Sequence, residues 1–110
     1  MEVLAYKPAK IANRELVMEG DDMRVQVLTL GENDCIPWHY HSEITDSFVC
    51  LEGTLVVETK APAGIHILEV GDRCEVAPMV AHYVHGLDMH PAKFMILQGV
   101  GVYDNIPIGE

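Results

Sequence analysis

The chain changes pattern every few residues, and that constrains its fold more than anything else in it. From Met23 onward, short runs rich in β-branched and apolar residues alternate with turn signals at intervals of roughly 8–12 residues, and helical signal is nearly absent. The runs are MRVQVLTL (23–30), SFVCLEG (47–53), TLVVETK (54–60), IHILEV (65–70) and KFMILQGV (93–100), and each predicts a strand. Between them stand EGDD before Met23, LEGT at 51–54, KAPAG at 60–64, VGDR at 70–73 and DMHPA at 88–92, the Gly, Pro and Asp chemistry of hairpin turns and sheet corners. The pattern predicts an all-β sandwich or barrel. Upstream the signal weakens to an edge strand at Arg14–Met18 and a Pro8 that only a sheet edge tolerates.

A chain of 110 residues can bury one core and not two, so a single domain over 1–110 is expected, with its barrel at about 23–100. An N-terminal edge strand and a C-terminal tail would flank it. With 49% hydrophobic and 22% charged residues the composition is that of a folded domain, not a disordered one. Seventeen Asp and Glu against seven Lys and Arg give a formal net charge of -10, which repels phosphate backbones and anionic bilayers. Neither a nucleic-acid nor a membrane partner is expected. The N-terminus lacks the charged-then-apolar pattern of a leader, and no apolar run approaches the roughly 18 residues that span a bilayer, so a cytoplasmic location is expected. Cys35, Cys50 and Cys74 are odd in number and lack CxxC spacing, which suits buried thiols in a reducing compartment better than a disulfide framework.

Chemistry concentrates in PWHYHSEITD at 37–46. On a strand His39 and His41 share one face while Trp38 and Tyr40 take the other, so the two imidazoles can grip one ion. An exposed strand can carry the same pair, so partners are needed. Glu43 keeps the parity of the histidines if the strand continues, and Asp46 would return on the next strand after a turn. APMVAHYVHG at 77–86 supplies His82 and His85, which are three apart and therefore on opposite faces, so only one of them can join.

On these residues the sequence resembles the small cupins, double-stranded β-helix or jelly-roll barrels that host mononuclear metals, over roughly residues 23–100. The first motif of that family runs Gly, HxH, three or four residues, Glu, six residues, Gly; His39, His41, Asp46 and Gly53 match its spacing. The second begins at a Gly-Asp turn and ends in a third histidine, to which GDRCEVAPMVAH, from Gly71 to His82, is similar. Asp46 stands where the family has Glu, Met79 where the loop has Gly, Gly86 where Asn is usual, and Gly31 lies two residues early.

The resemblance implies one divalent transition metal, Fe, Mn, Ni or Zn, held by His39, His41 and His82 with Asp46 as the fourth candidate. An Asp falls about 1.5 Å short of Glu, whereas ligands are placed to within about 0.2 Å. That predicts an Asp46 that tunes the ion more than it holds it. A metal-free barrel with a histidine-lined pocket is the alternative.

Strand parity turns Phe48 and Cys50 inward with Asp46, His66 inward with Leu68, and Phe94, Ile96 and Gln98 inward together. His66 is thus a candidate acid–base group and Gln98 a candidate substrate-binding one, since a buried amide must find a hydrogen bond. With Asp46 they make the candidate catalytic set. Cys35, at the parity of His39, is a candidate soft ligand or redox thiol. Outward Trp38 and Tyr40 predict a covering second subunit, hence a homodimer. The resemblance implies a metal-dependent enzyme acting on a small-molecule substrate. Dioxygenase-type chemistry is favoured because a three-histidine Fe(II) site tolerates loss of the carboxylate; an isomerase, decarboxylase or lyase and a non-catalytic binding module are the alternatives.

Overall fold

The structure is a computed structural model that describes residues 9–108; Pro8 lies outside the described residues. Its strands are β1 (Asn13–Glu19), β2 (Met23–Leu30), β3 (Cys35–Tyr40), β4 (Thr45–Glu52), β5 (Leu55–Lys60), β6 (Gly64–Leu68), β7 (Arg73–Val76), β8 (Ala81–Gly86), β9 (Ala92–Gly99) and β10 (Ile106–Pro107). A single 3-10 turn, Leu87–Met89, is the only helical element among the described residues. Two five-stranded sheets form, in the orders β1-β2-β9-β4-β7 and β10-β3-β8-β5-β6, with antiparallel pairing throughout. The chain crosses between sheets repeatedly, as a double-stranded β-helix requires.

The expected strands all form, the edge strand at β1 included. Two others carry too little pattern to read: β7 is RCEV, four residues with two charges, and β10 is two residues with a proline.

Inward side chains line up in rows across each sheet. In the first sheet the rows are Leu28–Phe94–Cys50, then Gln26–Ile96–Phe48, then Arg24–Gln98–Asp46. In the second they are Ile36–Val84–Val57 and His39–His82–Thr59. Each sheet therefore becomes polar toward one end, and the polar rows face each other. The apolar end is closed by Phe48 and Phe94, fully buried with ring centroids 5.8 Å apart, together with Leu30, Leu55, Val57 and Val84. Burying each such side chain stabilises the barrel by about 1.5–3 kcal/mol, so the apolar rows hold the scaffold that positions the polar ones.

Two parity readings fail for identifiable reasons. His66 pairs with Val57 at the end of the row Ile36–Val84–Val57, but β6 is an edge strand and leaves His66 exposed. Alternation gives the side of a strand; it does not say whether the facing sheet reaches over it. Cys35 is displaced by a register shift between Ile36 and His39, which brings those two residues, three apart, both to the buried face. Cys35 pairs instead with His85 and is half-buried, Cys74 is also half-buried, Cys50 is buried, and all three are free thiols. No helix of the described residues is long and apolar enough to cross a membrane.

Candidate metal centre

His39 and His82 are cross-strand partners on β3 and β8, and Asp46 enters from β4 in the facing sheet. His41 lies one residue past β3 and is held by its own backbone, whose carbonyl accepts from Met79 N–H at 2.7 Å. The four side chains are buried, with exposures of 6% or less, and one ligand atom from each lies within 4.8 Å of the others. Two donors on one ion with bonds of about 2.1 Å are at most about 4.2 Å apart, so a small adjustment closes the set.

The imidazoles are oriented from behind. His39 donates Nδ1–H to the Pro37 carbonyl at 2.8 Å, His82 to the Val80 carbonyl at 2.9 Å, and His41 to the Asp104 carbonyl at 2.5 Å. All three rings thereby turn Nε2 toward the centre, the arrangement that metal-ligating histidines use. Asp46 Oδ2 lies 2.9 Å from His41 Nε2 and 2.8 Å from His82 Nε2, while Oδ1 accepts from Gln98 Nε2 at 3.0 Å. The expected shortfall in the reach of an Asp is not observed: Oδ2 stands among the histidine nitrogens because β4 carries Asp46 directly opposite them.

Electrostatics prepare the donors differently. Burial, reinforced by the neighbouring His82, lowers the His39 pKa to about 4, so this ring is neutral with a free Nε2. Burial also works against charge on His41, but the hydrogen bond and charge of Asp46 and the Asp104 carbonyl outweigh it and raise its pKa above 6.5. Burial opposes ionisation of Asp46 too, yet hydrogen bonds from His41 and His82 carry its pKa well below the usual carboxylate range. Three nitrogens and one carboxylate oxygen, convergent and buried, can hold a divalent transition ion, and no ligand in the set selects among Fe, Mn, Ni and Zn.

A cavity of about 60 Å3 adjoins the cluster, lined on the metal side by His39, Asp46, Phe48 and Gln98. Of the sequence-predicted residues, His39, His41, Asp46, His82 and Gln98 come together; His66 does not. Glu43 is exposed and accepts from Val102 N–H at 3.4 Å, and His85 points outward to Glu58, Nε2 to Oε2 2.7 Å. Sequence reasoning missed Arg24, Tyr103, Asp104 and Asn105. Arg24, Tyr103 and Asn105 line the cavity, and Asp104 supports His41. Arg24 carried a signal, a polar residue at an inward position of MRVQVLTL; the other three sit in a segment without periodicity.

Fold and cluster together define a double-stranded β-helix with a buried cluster of three histidines and one aspartate that could hold a metal ion. That fold is the cupin fold. An uncharacterized conserved protein with a double-stranded beta-helix domain from Klebsiella pneumoniae subsp. pneumoniae MGH 78578 is similar with a TM-score of 0.74 at 19% identity, over 89% of this chain and 80% of that one. A cupin-2 domain containing protein from Shewanella frigidimarina NCIMB 400 matches with a TM-score of 0.66 at 19% identity, over 80% of each chain. The oxalate decarboxylase of Lactobacillus farciminis matches with a TM-score of 0.72 at 13% identity, covering 91% of this chain and 33% of that longer one. No family model and no curated protein matches the sequence.

Proposed function

We propose that the protein is a mononuclear metal-dependent enzyme acting on a small organic molecule. The observation that carries this reading is the convergence of three Nε2 atoms and Asp46 Oδ2 beside a cavity. A divalent ion bound there supplies a Lewis-acidic centre with positions left for substrate. The chain's own residues orient that centre: backbone carbonyls fix the imidazoles, and Gln98 fixes the second oxygen of Asp46. The likeness to an enzyme such as the oxalate decarboxylase supports a catalytic rather than a purely binding role.

Dioxygenase-type chemistry is the reaction class we favour, on different grounds from those the sequence offered. The carboxylate has not been lost, so tolerance of its loss no longer argues for anything. Among the described residues lining the cavity, no histidine or carboxylate stands outside the candidate ligand set, and the acid–base role expected of His66 has no place there. Chemistry carried by the ion is better served than an isomerisation or elimination that needs a dedicated base. We also propose a homodimer in the cytoplasm. Supporting it, Leu16, Val17 and Met18 on edge strand β1 are 55%, 51% and 61% exposed. Trp38, by contrast, is partly covered by its own chain, stacked on Tyr83 at 5.7 Å beneath Lys60.

Elemental analysis of protein purified without a histidine tag tests the metal. One equivalent per chain is expected in the wild type, with large losses in His41→Ala and His82→Ala. Asp46→Ala should lose metal as readily as His82→Ala, because Oδ2 stands at the centre. Equal, substoichiometric metal in every variant would sink the reading.

A further inference from the structure

We propose that the cavity beside the metal centre takes a small carboxylate, gripped by Arg24 with Arg14 in support. This deepens the metalloenzyme reading and rests on it. The chain has only seven Lys and Arg against seventeen Asp and Glu, yet two of those seven cations line this one cavity. No carboxylate of the described residues forms an ion pair with either guanidinium. The acidic turn contributes Glu19 and Asp21 to an adjoining cavity of about 120 Å3 that shares Arg24, Gln98 and Tyr103 with the first, and neither carboxylate forms an ion pair with Arg24.

Arg24 is built into the site. It is the cross-strand partner of Gln98, which is the cross-strand partner of Asp46, so all three stand in one inward row. Arg24 Nη2 donates to Gln98 Oε1 at 2.9 Å, and Gln98 Nε2 donates to Asp46 Oδ1 at 3.0 Å. The guanidinium lies 4.6 Å from the Tyr103 ring centroid, which fixes its plane. Its Nε is buried without a hydrogen-bond partner, the one such side-chain atom among the described residues. Buried donors that lack partners call for an explanation. Arg14 reaches in from β1 with only a 3.4 Å contact to Gln26 Oε1.

A planar guanidinium can present its two Nη groups to a carboxylate in a paired geometry, with charge assistance. A neutral occupant would cover the partly buried Arg24 guanidinium without compensating its charge. The hydrogen bonds Arg24–Gln98–Asp46 tie the guanidinium to the candidate metal ligand, so an anion held by Arg24 lies beside the cluster.

Calorimetric titration of the metal-loaded protein with pyruvate, lactate and malonate, against the neutral pyruvamide, lactamide and malonamide, tests this. At least one acid should bind about tenfold or more tightly than its amide. Arg24→Gln, titrated at saturating metal, should abolish that preference, Arg14→Gln should reduce it, and Arg73→Gln on β7 should leave it alone. If Arg24→Gln does not fold, Arg24→Lys decides: it keeps the charge but loses the planar fork, so acid affinity should fall several-fold. Acids that bind no better than amides, or an acid affinity unmoved by whichever Arg24 variant folds, would overturn the proposal. Metal content is read separately. Stoichiometric metal without acid preference removes this inference and leaves the metalloenzyme reading; an Arg24-dependent acid preference without metal does the reverse.

Discussion

Gln98 and Asp46 face each other across β9 and β4, and the Gln98 amide donates to Asp46 Oδ1 at 3.0 Å while Oδ2 is turned to the histidines. One carboxylate thus has one oxygen for support and one for the ion. Gln98→Ala should leave the ligands in place and free the carboxylate to rotate, lowering metal affinity about 10–100-fold, the usual cost of losing such a support. Chelator competition measures it. An affinity equal to wild type would show that the strand alone fixes Asp46.

Metal uptake should release a proton near neutral pH, and the donor is His41. Its pKa is raised above 6.5, so at pH 6.5 more than half of it is protonated, whereas an ion requires the neutral ring. Affinity should fall as pH drops through the His41 value, by about tenfold per pH unit for one competing proton. His39, neutral down to about 4, adds a second proton only near that pH. Titration of metal into protein in buffers of different ionisation enthalpy counts the protons. An affinity flat from pH 7.5 to 5.5 would contradict the assignment.

Met79, at the position where the second motif usually has Gly, adopts φ 71 and is 64% exposed. The left-handed conformation costs an L-residue about 1–2 kcal/mol, and Gly returns about 0.5–1 kcal/mol of that through its freer unfolded chain. Met79→Gly should therefore stabilise the protein by about 0.5–1 kcal/mol, read from the urea midpoint, while its N–H continues to hold the His41 carbonyl. A lower midpoint would mean that the Met79 side chain packs more than its exposure suggests.

Much of the centre was legible because strand alternation is local physics. HxH spacing put His39 and His41 together, opposite parity separated His82 from His85, and the run Phe94, Ile96, Gln98 turned inward as a unit. What was not legible depends on partners that a local pattern does not encode. The register shift before His39 misplaced Cys35, and the edge position of β6 exposed His66. The reach of Asp46 followed from where β4 runs against the other sheet, which side-chain length alone could not give. The segment after Gly99 reads as a tail, yet Tyr103 and Asn105 line the cavity and Asp104 backs His41.

Asp104 yields the most direct test of that segment. Its Oδ1 accepts from Ser42 N–H at 2.8 Å and its Oδ2 from the Ser42 hydroxyl, which together pin the chain so that the Asp104 carbonyl meets His41 Nδ1–H. Those bonds hold the carboxyl of Asp104 below its ordinary pKa, so the clasp is made at neutral pH. Asp104→Ala keeps the carbonyl but removes both bonds to Ser42, and the position lies outside the apolar core. Barrel stability should change little, whereas metal affinity should fall about 10–100-fold, as for other lost supports of a ligating histidine. His41 would also lose the nearby Asp104 charge and the clasp that holds the carbonyl in place, both of which help raise its pKa, so the pH at which protons compete with metal should shift downward in the variant. Ser42→Ala, which removes only the hydroxyl bond, should give a smaller loss in the same direction. If Asp104→Ala binds metal like the wild type with an unchanged pH dependence, the C-terminal segment only passes over the site and the orientation of His41 comes from the Met79 clamp alone.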